Sequence, residues 1–521
     1  MNEEHLNLWS LLAGHDDRPA VTVSAQSWSR AQLRTAACRA VTGLRALGLA
    51  RGDAVAVWLP NGPAWLQLLF AAADLGVLIV PVSTRYKMPE VRHVLEVSGA
   101  RALICPDVFL GQDYAAMAAE LAEQVASLAS VVVLPQAETT LAFAAAVPAA
   151  GPSGAGQPAD LLCCFSTSGT TGFPKLAAHD HASIARHASL VGPAMHYQPG
   201  DRLLAVLPFY GVFGFMAALA ALAGAAACDV MAVYDAEDAA VMIDTRGITH
   251  VIGSDSMFDP ILRCEGHRFA SWRRLVQADF VGLTKEVTQR AAAFGISATG
   301  TYGSSEAFAL CSFWPDAATT EERSRAGGVP VDPTMSFRIV DDQADGSGAA
   351  LAVAGQAGEL QLRGSNVLAC YLNNAPATAA AMTADGWFRT GDLARAEGSA
   401  FVYLSRMGDS LRLRGYLVNP AEIETVLMQH PAVAGAQVVG VRQPGSGDLA
   451  VAYVLAASED FDEADVAAYC KSAMAAFKQP FRIVRIDEFP SMNGPNGNKI
   501  QKRVLREMAA QLVATSMTEK D

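Results

Sequence analysis

The sequence predicts an α/β protein in which a large N-terminal domain precedes a smaller α+β domain. Two observations lead to this fold class. Apolar runs typical of buried strands alternate with segments of helical spacing, and such strand–helix–strand repeats indicate parallel sheets covered by helices on both faces. Of the 521 residues, 51% are hydrophobic and only 17% are charged, which suits a chain with a large buried core.

The N-terminal domain is predicted to contain two sheets of this kind. The first sheet and its covering helices are predicted from elements that alternate along the chain with short turns between them. The helices are predicted at 32–47, 64–76 and 88–98, and the strands at 54–59, 77–82 and 102–105. The second sheet is predicted from strands at 202–207, 228–233 and 250–252.

A run of seventeen apolar or glycine residues at 212–228 has two interpretations. It is near the short limit for a membrane-spanning helix, which needs about 20 apolar residues. Alanine and glycine make up most of it, so a buried helix in the α/β core is favoured and no membrane span is expected.

The pattern becomes strand-rich after residue 336, with predicted strands at 337–340, 358–363 and 401–404. These short strands predict a small antiparallel β-barrel appended to the large sheets. The remaining residues form a mixed α/β unit, with helices predicted at 420–429 and 463–477 and strands at 434–441, 449–455 and 481–486. We therefore expect domains at 1–406 and 407–521, because about 110 residues suffice for an independent domain.

Composition excludes several function classes. A net charge of −13 argues against a nucleic-acid-binding surface. Nine cysteines without a C-x-x-C pattern fit reduced thiols, and the acidic first five residues do not resemble a signal peptide. A cytoplasmic enzyme is expected.

The most informative stretch begins after an apolar run, 161–165, that predicts a buried strand. It reads Ser166-Thr-Ser-Gly-Thr-Thr-Gly-Phe-Pro-Lys175. Glycines let backbone N–H groups converge, hydroxyls add donors and the lysine adds positive charge, so the stretch suits a polyphosphate. The alternative is an ordinary Ser/Thr/Gly linker. The lysine does not directly follow the second glycine, so this is not the Walker spacing.

Four further stretches combine with this loop. They are Thr301-Tyr-Gly-Ser-Ser-Glu306, Gly386-Trp-Phe-Arg-Thr-Gly-Asp-Leu393 with Asp392 in a glycine turn, Ser405-Arg-Met-Gly-Asp409, and the basic loop Gly497-Asn-Lys-Ile-Gln-Lys502. In this order and at these separations the stretches resemble the adenylate-forming superfamily of acyl- and aryl-CoA synthetases, peptide-synthetase adenylation domains and firefly luciferase. The resemblance covers essentially the whole chain.

The resemblance implies a two-step reaction that uses ATP and Mg²⁺. A small-molecule carboxylic acid attacks the α-phosphate to give an acyl-adenylate and pyrophosphate, and a thiol then displaces AMP. The expected thiol is coenzyme A, and the phosphopantetheine of an acyl carrier protein is the alternative. A non-catalytic binding protein on the same scaffold is a further alternative, and either a monomer or a homodimer is expected.

The resemblance also implies roles for individual residues. Thr170 and Thr171 match phosphate contacts, Glu306 the Mg²⁺ carboxylate, Tyr302 the residue beside adenine, Asp392 the acceptor for both ribose hydroxyls and Arg406 a ribose or phosphate contact. The implied catalytic residues are Lys499, Glu306 and Thr170. The complete implied ATP-binding set is Ser166, Thr167, Ser168, Gly169, Thr170, Thr171, Gly172, Lys175, Tyr302, Gly303, Ser305, Asp392 and Arg406.

In the C-terminal domain, Lys499 matches the lysine that bridges the substrate carboxylate and the α-phosphate. The same resemblance implies that this domain is mobile and rotates between the two steps about a hinge acid, which Asp409 matches. Gly415 and Tyr416 would then help to form the thiol channel, where a glycine permits close passage of a pantetheine arm.

Several positions depart from the family's pattern. Gly211 replaces a usual histidine beside the substrate carboxylate, and Asp279 adds bulk to the adenine-side loop at 276–279. Gly408 stands where a lysine is frequent, and Asn498 adds one residue before Lys499.

The predicted acid pocket consists of small or apolar residues: Tyr210, Gly211, Phe213, Ser254 and Met257. Asp235, the one acid near this region, has the context of a helix start, so an aryl or medium-size acyl acid is favoured over an amino acid. His179-Asp-His181 could supply two metal ligands, but a solvated turn is favoured because no acid or cysteine cluster completes a site.

Overall fold

The structure is a computed structural model. It describes residues 7–135, 154–167, 174–280, 282–340, 351, 355–407, 411–413, 416–418, 420–443, 447–474, 476, 478–494 and 497–518. Among these residues, no helix combines the length and the apolar character needed to cross a lipid bilayer.

The described chain contains α-helices and strands that alternate in its first two thirds. After a 3₁₀ helix at Leu8–Leu12, the α-helices are α1 (Arg30–Ala46), α2 (Pro63–Leu75), α3 (Met88–Ser98), α4 (Tyr114–Gln124), α5 (His181–Ala194), α6 (Val212–Ala223), α7 (Ala236–Arg246), α8 (Asp255–Arg263), α9 (Thr284–Ala293), α10 (Thr320–Arg323), α11 (Ala375–Ala381), α12 (Pro420–Met428), α13 (Glu463–Ala473) and α14 (Lys502–Thr518).

The strands are β1 (Pro19–Val23), β2 (Gln26–Ser29), β3 (Ala54–Val57), β4 (Leu78–Pro81), β5 (Ala102–Pro106), β6 (Val108–Phe109), β7 (Gln112–Asp113), β8 (Ser130–Leu134), β9 (Leu161–Thr167), β10 (Lys175–Asp180), β11 (Arg202–Ala205), β12 (Ala227–Val230), β13 (His250–Ser254), β14 (Arg274–Ala278), β15 (Ser297–Tyr302), β16 (Ser312–Phe313), β17 (Gly327–Pro330), β18 (Ser336–Val340), β19 (Ala357–Arg363), β20 (Cys370–Tyr371), β21 (Phe388–Glu397), β22 (Ala400–Arg406), β23 (Leu411–Leu413), β24 (Tyr416–Val418), β25 (Val433–Gln443), β26 (Gly447–Ala456), β27 (Arg482–Ile486), β28 (Ser491–Gly494) and β29 (Gly497–Ile500).

The chain divides into two compact units. The first, which we call unit one, comprises Met1–Ser336 and Leu362–Phe388; the second, unit two, comprises Phe337–Gln361 and Arg389–Asp521.

One sheet of unit one has the strand order β20-β10-β9-β4-β3-β5-β8. Strand β3 pairs in parallel with β4 and with β5, and β5 with β8, as predicted for this half. Helix boundaries follow local signals: Ser29 and Gln32 form a capping box at the start of α1, and α2 has Pro63 at its first turn and Gly76 in the left-handed region just beyond its end.

The other sheet of unit one has the order β17-β16-β15-β14-β13-β11-β12-β1-β2. Parallel pairs join β15 to β14, β14 to β13, β13 to β11 and β11 to β12. The carboxyl ends of these strands therefore lie at one edge of the sheet, where binding sites of open α/β sheets form.

Strand residues alternate between two hydrophobic cores. Val55 and Val57 of β3 belong to the larger core, which also contains α2 and α6, whereas Ala54 and Ala56 face a smaller core with α3 and α4. The apolar run predicted as a buried helix is α6: twelve residues whose side chains belong almost entirely to the larger core. That prediction is confirmed.

In unit two, β18, β19, β21 and β22 are neighbours in that order. These four strands include the three segments predicted after residue 336, and their closure into a small barrel stays a prediction. The C-terminal part has the sheet β25-β26-β27 and the hairpin β28–β29. Val438 faces a core with α12 and α13, and Val439 faces a core with α14.

Candidate active site

The predicted phosphate loop connects the two strands of a hairpin. Strands β9 and β10 pair antiparallel, with Thr167 opposite Lys175. Residues Ser168, Gly169, Thr170, Thr171 and Gly172 lie outside the described residues. The hydroxyl of Thr167 is buried and has no hydrogen-bond partner within the described ranges, which leaves a donor at the mouth of the loop.

A tight turn follows β15 and carries Glu306. The hydroxyl of Ser304 accepts hydrogen bonds from the backbone N–H groups of Glu306 (3.2 Å) and Ala307 (3.1 Å), as short hydroxyl side chains do in turns. A Cβ on Gly303 would lie 2.5 Å from the Cα of Ala309. The turn therefore requires glycine at 303 because the backbone folds back on itself there.

The turn meets the hairpin at Ser305. Its hydroxyl donates to the carbonyl of Ser166 across 3.5 Å, and Nε2 of His179, on β10, lies 2.8 Å from the carbonyl of Ser305. Because a carbonyl only accepts, Nε2 of His179 carries the proton. Unit one thus brings Ser166, Ser305 and Glu306 into one region.

Two buried histidines pack against this turn and bond its backbone. The ring of His179 stacks on Phe308 (centroids 3.9 Å apart), and His187 of α5 stacks on Phe308 at 5.2 Å. Nε2 of His187 donates to the carbonyl of Ala309 across 2.9 Å. Burial lowers the pKa of each histidine to about 4, so both rings are neutral at physiological pH.

The prediction of a solvated turn at His179-Asp-His181 is wrong. His179 is 0% and His181 4% exposed. Asp180 caps the N-terminus of α5 by accepting from the N–H of Ser183, and Nε2 of His181 accepts from the N–H of Leu8. His179 is buried because β10 is covered on both faces, and His181 is buried as the first residue of α5.

The carboxylate of Glu306 is half-buried and oriented by Tyr371, whose hydroxyl donates to Oε1 across 2.9 Å. Nζ of Lys175 lies 4.1 Å from the centroid of the Tyr371 ring. A carboxylate is a hard oxygen ligand of the type that Mg²⁺ prefers, and Mg²⁺ in nucleotide sites uses one or two carboxylates plus phosphate oxygens. Glu306 fits that role, and the described residues contain no group of three or more His, Cys, Asp or Glu suited to a separate metal site.

The predicted pocket residues lie after the carboxyl ends of the neighbouring strands β11 and β13. Tyr210 and Phe213 are buried at the start of α6, and the hydroxyl of Thr84 donates to that of Tyr210 across 3.5 Å. Gly211 is the N-cap of α6 with φ −103°, a backbone conformation open to any residue. The loop is fixed by Asn61, whose amide bonds the Leu207 carbonyl (2.8 Å) and the Phe209 N–H (2.6 Å).

The other side of the predicted pocket begins at the end of β13. Ser254 and Met257 are buried, and the hydroxyls of Ser254 and Ser256 are 2.9 Å apart. The carboxylate of Asp255 accepts from the N–H groups of Phe280 (3.0 Å) and Leu283 (2.8 Å). This buried acid ties α8 to the loop after β14, next to the predicted adenine side.

Two acids near these loops have structural partners. Asp235 caps α7 by accepting from the N–H of Asp238, which confirms the predicted helix start. Asp279 accepts from the N–H of Gly282 across 3.0 Å, so its carboxylate is engaged by its own loop. Whether Asp279 affects an adenine contact stays a prediction.

Asp392 and Arg406 lie together in unit two. They are opposite each other on the antiparallel strands β21 and β22, and Nε of Arg406 is 3.1 Å from Oδ1 of Asp392. Arg406 also donates to the carbonyl of Thr390 across 3.0 Å. The predicted glycine turn at Asp392 is wrong: the residue lies within β21, where Gly391 has φ +67°, and only 3% of Asp392 is exposed.

Lys499 also lies in unit two, in β29. Its backbone pairs with Met492, so the residues predicted as a basic loop form the second strand of a hairpin. Tyr416 pairs with Leu413 in the hairpin β23–β24. The side chains of Lys499 and Tyr416, together with Asp409 and Gly415, lie outside the described residues.

Tyr371, His187 and Phe308, which support the turn, were not identified from the sequence, and the support that His179 gives was not predicted. Tyr371 is 65 positions from Glu306, and His179 is 126 positions from Ser305. Sequence periodicity marks such side chains as buried but does not identify their partners. A tyrosine directly after a partly buried cysteine in a short strand carries no signal of its own.

The chain combines two sheets built largely of parallel strands with the hairpin β9–β10 and the turn that carries Glu306. An α+β part follows at the C-terminus. These features together are typical of an adenylate-forming enzyme. Residues 9–372 match the family model described as AMP-binding enzyme, and residues 422–493 match the model of the AMP-binding enzyme C-terminal domain. The chain belongs to the AMP-binding enzyme family, and the resemblance noted from its motifs is confirmed.

Similar proteins cover nearly the whole chain. A 3-[(3aS,4S,7aS)-7a-methyl-1,5-dioxo-octahydro-1H-inden-4-yl]propanoyl:CoA ligase of Mycobacterium tuberculosis is 31% identical over 94% of this chain and 96% of its own length. The mitochondrial medium-chain acyl-CoA ligase ACSF2 of Danio rerio is 29% identical over 90% and 82% of the two chains. The crystal structure of ATP-bound MatB from Rhodopseudomonas palustris has the same fold, with a TM-score of 0.86, 24% identity and coverage of 97% and 99%.

Proposed function

We propose that the protein is an AMP-forming acid–thiol ligase that makes a coenzyme A thioester. A carboxylate oxygen of the acid forms a bond to the α-phosphorus of ATP while the α–β bridging bond breaks and pyrophosphate leaves. The thiol sulfur then bonds to the acyl carbon, the bond from that carbon to the phosphate oxygen breaks, AMP leaves and the thiol proton passes to solvent. Family membership and the CoA-ligase names of both relatives support this proposal.

The observation that carries the proposal is the junction between the hairpin β9–β10 and the Glu306 turn. Ser305 bonds the carbonyl of Ser166 near the end of β9, so the turn that carries Glu306 lies beside the strand that leads into the sequence rich in potential N–H and hydroxyl donors. An anionic acid attacking a triphosphate requires such donors and cations, because the like charges otherwise repel. One loop holds phosphates, and the other supplies a ligand for the accompanying cation.

Glu306 is the residue that would hold Mg²⁺ in this scheme. When bound, that ion would supply charge neutralisation at the phosphates. The protein's own contribution is to keep the carboxylate oriented through Tyr371 and the Ser304 turn.

The other nucleotide contacts are assigned by their place in the family's motifs. Thr170, Thr171 and Lys175 would bind the β- and γ-phosphates, and Tyr302 would pack beside adenine. Asp392 suits the ribose hydroxyls because it is a fixed, buried carboxylate held by Arg406. The remaining members of this proposed set are Ser166, Thr167, Ser168, Gly169, Gly172, Gly303 and Ser305.

The C-terminal residues 407–521 are proposed to act as a mobile domain that brings Lys499 to the reacting carboxylate. Lys499 would offset the charge that develops as the acid attacks. Asp409 would be the hinge for the rotation that removes the lysine before the thiol arrives, and Gly415 and Tyr416 would line the thiol's path. Domain closure of this type needs only a few hinge residues.

The acid is proposed to be an aryl or medium-size acyl carboxylic acid. Tyr210, Phe213 and Met257 are buried apolar or aromatic side chains after the ends of adjacent strands, and such residues favour an apolar substrate. Asp235 is engaged as a helix cap, so it is not available to hold the ammonium group of an amino acid.

Coenzyme A is proposed as the acceptor because the two relatives are both named CoA ligases. The activities for which these relatives are named involve coenzyme A and not a carrier-protein phosphopantetheine. We propose that the enzyme acts in the cytoplasm, where ATP and coenzyme A are both available. We expect it to be a monomer or a homodimer.

The experiment is a panel of carboxylic acids assayed by ATP–pyrophosphate exchange. The panel contains benzoates, cinnamates, straight-chain acids of medium length and α-amino acids. We expect exchange to depend on an aryl or medium-size acid and to be absent with amino acids. Two results together would contradict the proposal. The wild-type enzyme would give no exchange with any acid of the panel, and the Glu306→Gln variant would bind ATP as tightly as wild type.

A further inference from the structure

Tyr371 contacts both Glu306 and Lys175, two residues of the proposed nucleotide site. It lies on β20, paired with Ala177 of β10, and is 5% exposed. Its N–H bonds the hydroxyl of Thr378, and its ring packs in a small cluster with Leu368 and Phe388. The side chain is therefore fixed by surroundings that are independent of any ligand.

The hydroxyl of Tyr371 defines the direction of the Glu306 carboxylate. Its donor bond to Oε1 is 2.9 Å long, a normal length for a hydrogen bond to a carboxylate. A hydrogen-bonded Oε1 fixes the carboxylate plane and leaves Oε2 for a ligand. Without this donor, a glutamate side chain on a loop would sample several rotamers.

The same ring lies beneath Lys175, which begins β10 directly after the proposed phosphate loop. Nζ of Lys175 is 4.1 Å from the ring centroid, within the range of a cation–π contact. Lys175 thus contacts the ring face of Tyr371, and Glu306 accepts a hydrogen bond from its hydroxyl. Within the described parts of the chain, no ion pair joins Lys175 to Glu306.

A direct Lys175–Glu306 ion pair would work against nucleotide binding, because each group would neutralise the other. Tyr371 gives the lysine an aromatic face and the glutamate a neutral donor. Both charges then remain for an external partner, the cation for phosphate oxygens and the carboxylate for a metal ion.

We propose that Tyr371 is a positioning residue that orients Glu306 toward Mg²⁺ and keeps Lys175 apart from it. This inference rests on the proposed function for the identity of the ligand, Mg²⁺·ATP. It assigns to Tyr371 no contact with the reacting atoms.

The variant Tyr371→Phe tests the hydroxyl alone. The backbone around Glu306 keeps two other supports from the same segment, because Asn366 Nδ2 donates to the Ala307 carbonyl (2.9 Å) and the Leu368 N–H to the Glu306 carbonyl (2.6 Å). The variant should therefore fold. We expect the Mg²⁺ concentration for half-maximal pyrophosphate exchange to rise about tenfold, which corresponds to one charge-assisted hydrogen bond, with the KM for the acid unchanged.

A second readout does not depend on turnover. Binding of Mn²⁺·ATP, followed by water-proton relaxation in the presence of the protein, should weaken about tenfold in Tyr371→Phe. Tyr371→Leu removes the ring as well, and we expect ATP binding to weaken by a further factor of about three through loss of the contact with Lys175.

Tyr197→Phe is the matched control. It removes the hydroxyl of a buried tyrosine in unit one whose ring lies tilted against that of His250, with the centroids 4.2 Å apart. Its metal and ATP dependence should equal those of wild type.

Tyr371→Phe with wild-type dependence on Mg²⁺ and wild-type Mn²⁺·ATP binding would overturn the inference while leaving the proposed reaction intact. Conversely, a wild type that binds Mn²⁺·ATP more tightly than Tyr371→Phe but exchanges pyrophosphate with no acid would support the positioning role and contradict the proposed reaction.

Discussion

The buried histidines beneath the Glu306 turn make the stability of unit one depend on pH. His179 and His187 each have a pKa lowered to about 4 by burial, against 6.5 for the free side chain. Between these two values the unfolded chain binds more protons than the folded one, so stability rises with pH. The contribution is complete above about pH 6.5 and is lost progressively as the pH falls toward 4.

The size of the effect follows from the two pKa values. At pH 5 an unfolded histidine is almost fully protonated and the folded one about one tenth protonated, which gives a loss of about 2 kcal/mol per histidine relative to pH 8. The pair therefore accounts for about 4 kcal/mol. That is a large fraction of the stability of a typical domain.

The variant His187→Gln isolates one member of the pair. An amide can donate to the Ala309 carbonyl as Nε2 does, but it does not titrate. We expect urea unfolding between pH 8 and pH 5, followed by tryptophan fluorescence, to show a loss of unfolding free energy smaller than that of wild type by about 2 kcal/mol.

The control is His15→Asn, which removes an exposed histidine whose φ of 52° is tolerated by asparagine. This variant should lose as much stability as wild type over the same range. A His187→Gln protein that also loses as much as wild type would refute the reasoning, because the neutral buried ring would then not be the source of the pH dependence.

The remaining predictions concern the proposed reaction. Lys499→Ala should lower ATP–pyrophosphate exchange at least about 100-fold yet leave thioester formation from supplied acyl-adenylate largely intact; equal loss of both would contradict the division of roles. Asp392→Asn should raise the KM for ATP about tenfold without changing that for coenzyme A, and an unchanged KM for ATP would exclude a ribose contact. Gly211→His, compatible with a φ of −103°, should narrow the range of accepted acids in the exchange assay, and an unaltered profile would remove residue 211 from the pocket.

The sequence predicted the local elements well because their signals are local. Helix α3 has the predicted bounds of residues 88–98, and α6 is the buried helix inferred from an uninterrupted apolar run. Capping residues and alternating or continuous apolar patterns need no knowledge of the rest of the chain. The membership of the AMP-binding enzyme family was likewise predicted, since its motifs are contiguous stretches.

Features that depend on pairing between distant segments were predicted less well. Asp392 was placed in a turn because glycine precedes it, but Gly391 keeps its left-handed conformation inside a long strand. The segment with Lys499 was predicted as a loop because it is basic and glycine-rich, yet it pairs with residues 491–494. Strand pairing of this kind is decided by a partner strand that composition does not reveal.

In the candidate site too, residues in contiguous motifs were predicted and their distant partners were not. Glu306 and Lys175 were identified from their own motifs, whereas Tyr371, which contacts both, was not. His179 and His181 were interpreted as a solvated turn or as metal ligands, but Nε2 of His179 bonds the carbonyl of Ser305 and Nε2 of His181 accepts from the N–H of Leu8. Buried polar side chains need partners, and only the folded chain identifies them.

We propose above all that this chain joins a carboxylic acid to coenzyme A through an acyl-adenylate. The most direct measurement follows products from ATP, an accepted acid and coenzyme A by mass spectrometry. We expect AMP, pyrophosphate and the acyl-CoA thioester in equal amounts, with acyl-AMP accumulating when coenzyme A is omitted. Formation of ADP and phosphate, or of AMP without any acyl-CoA when coenzyme A is present, would contradict it.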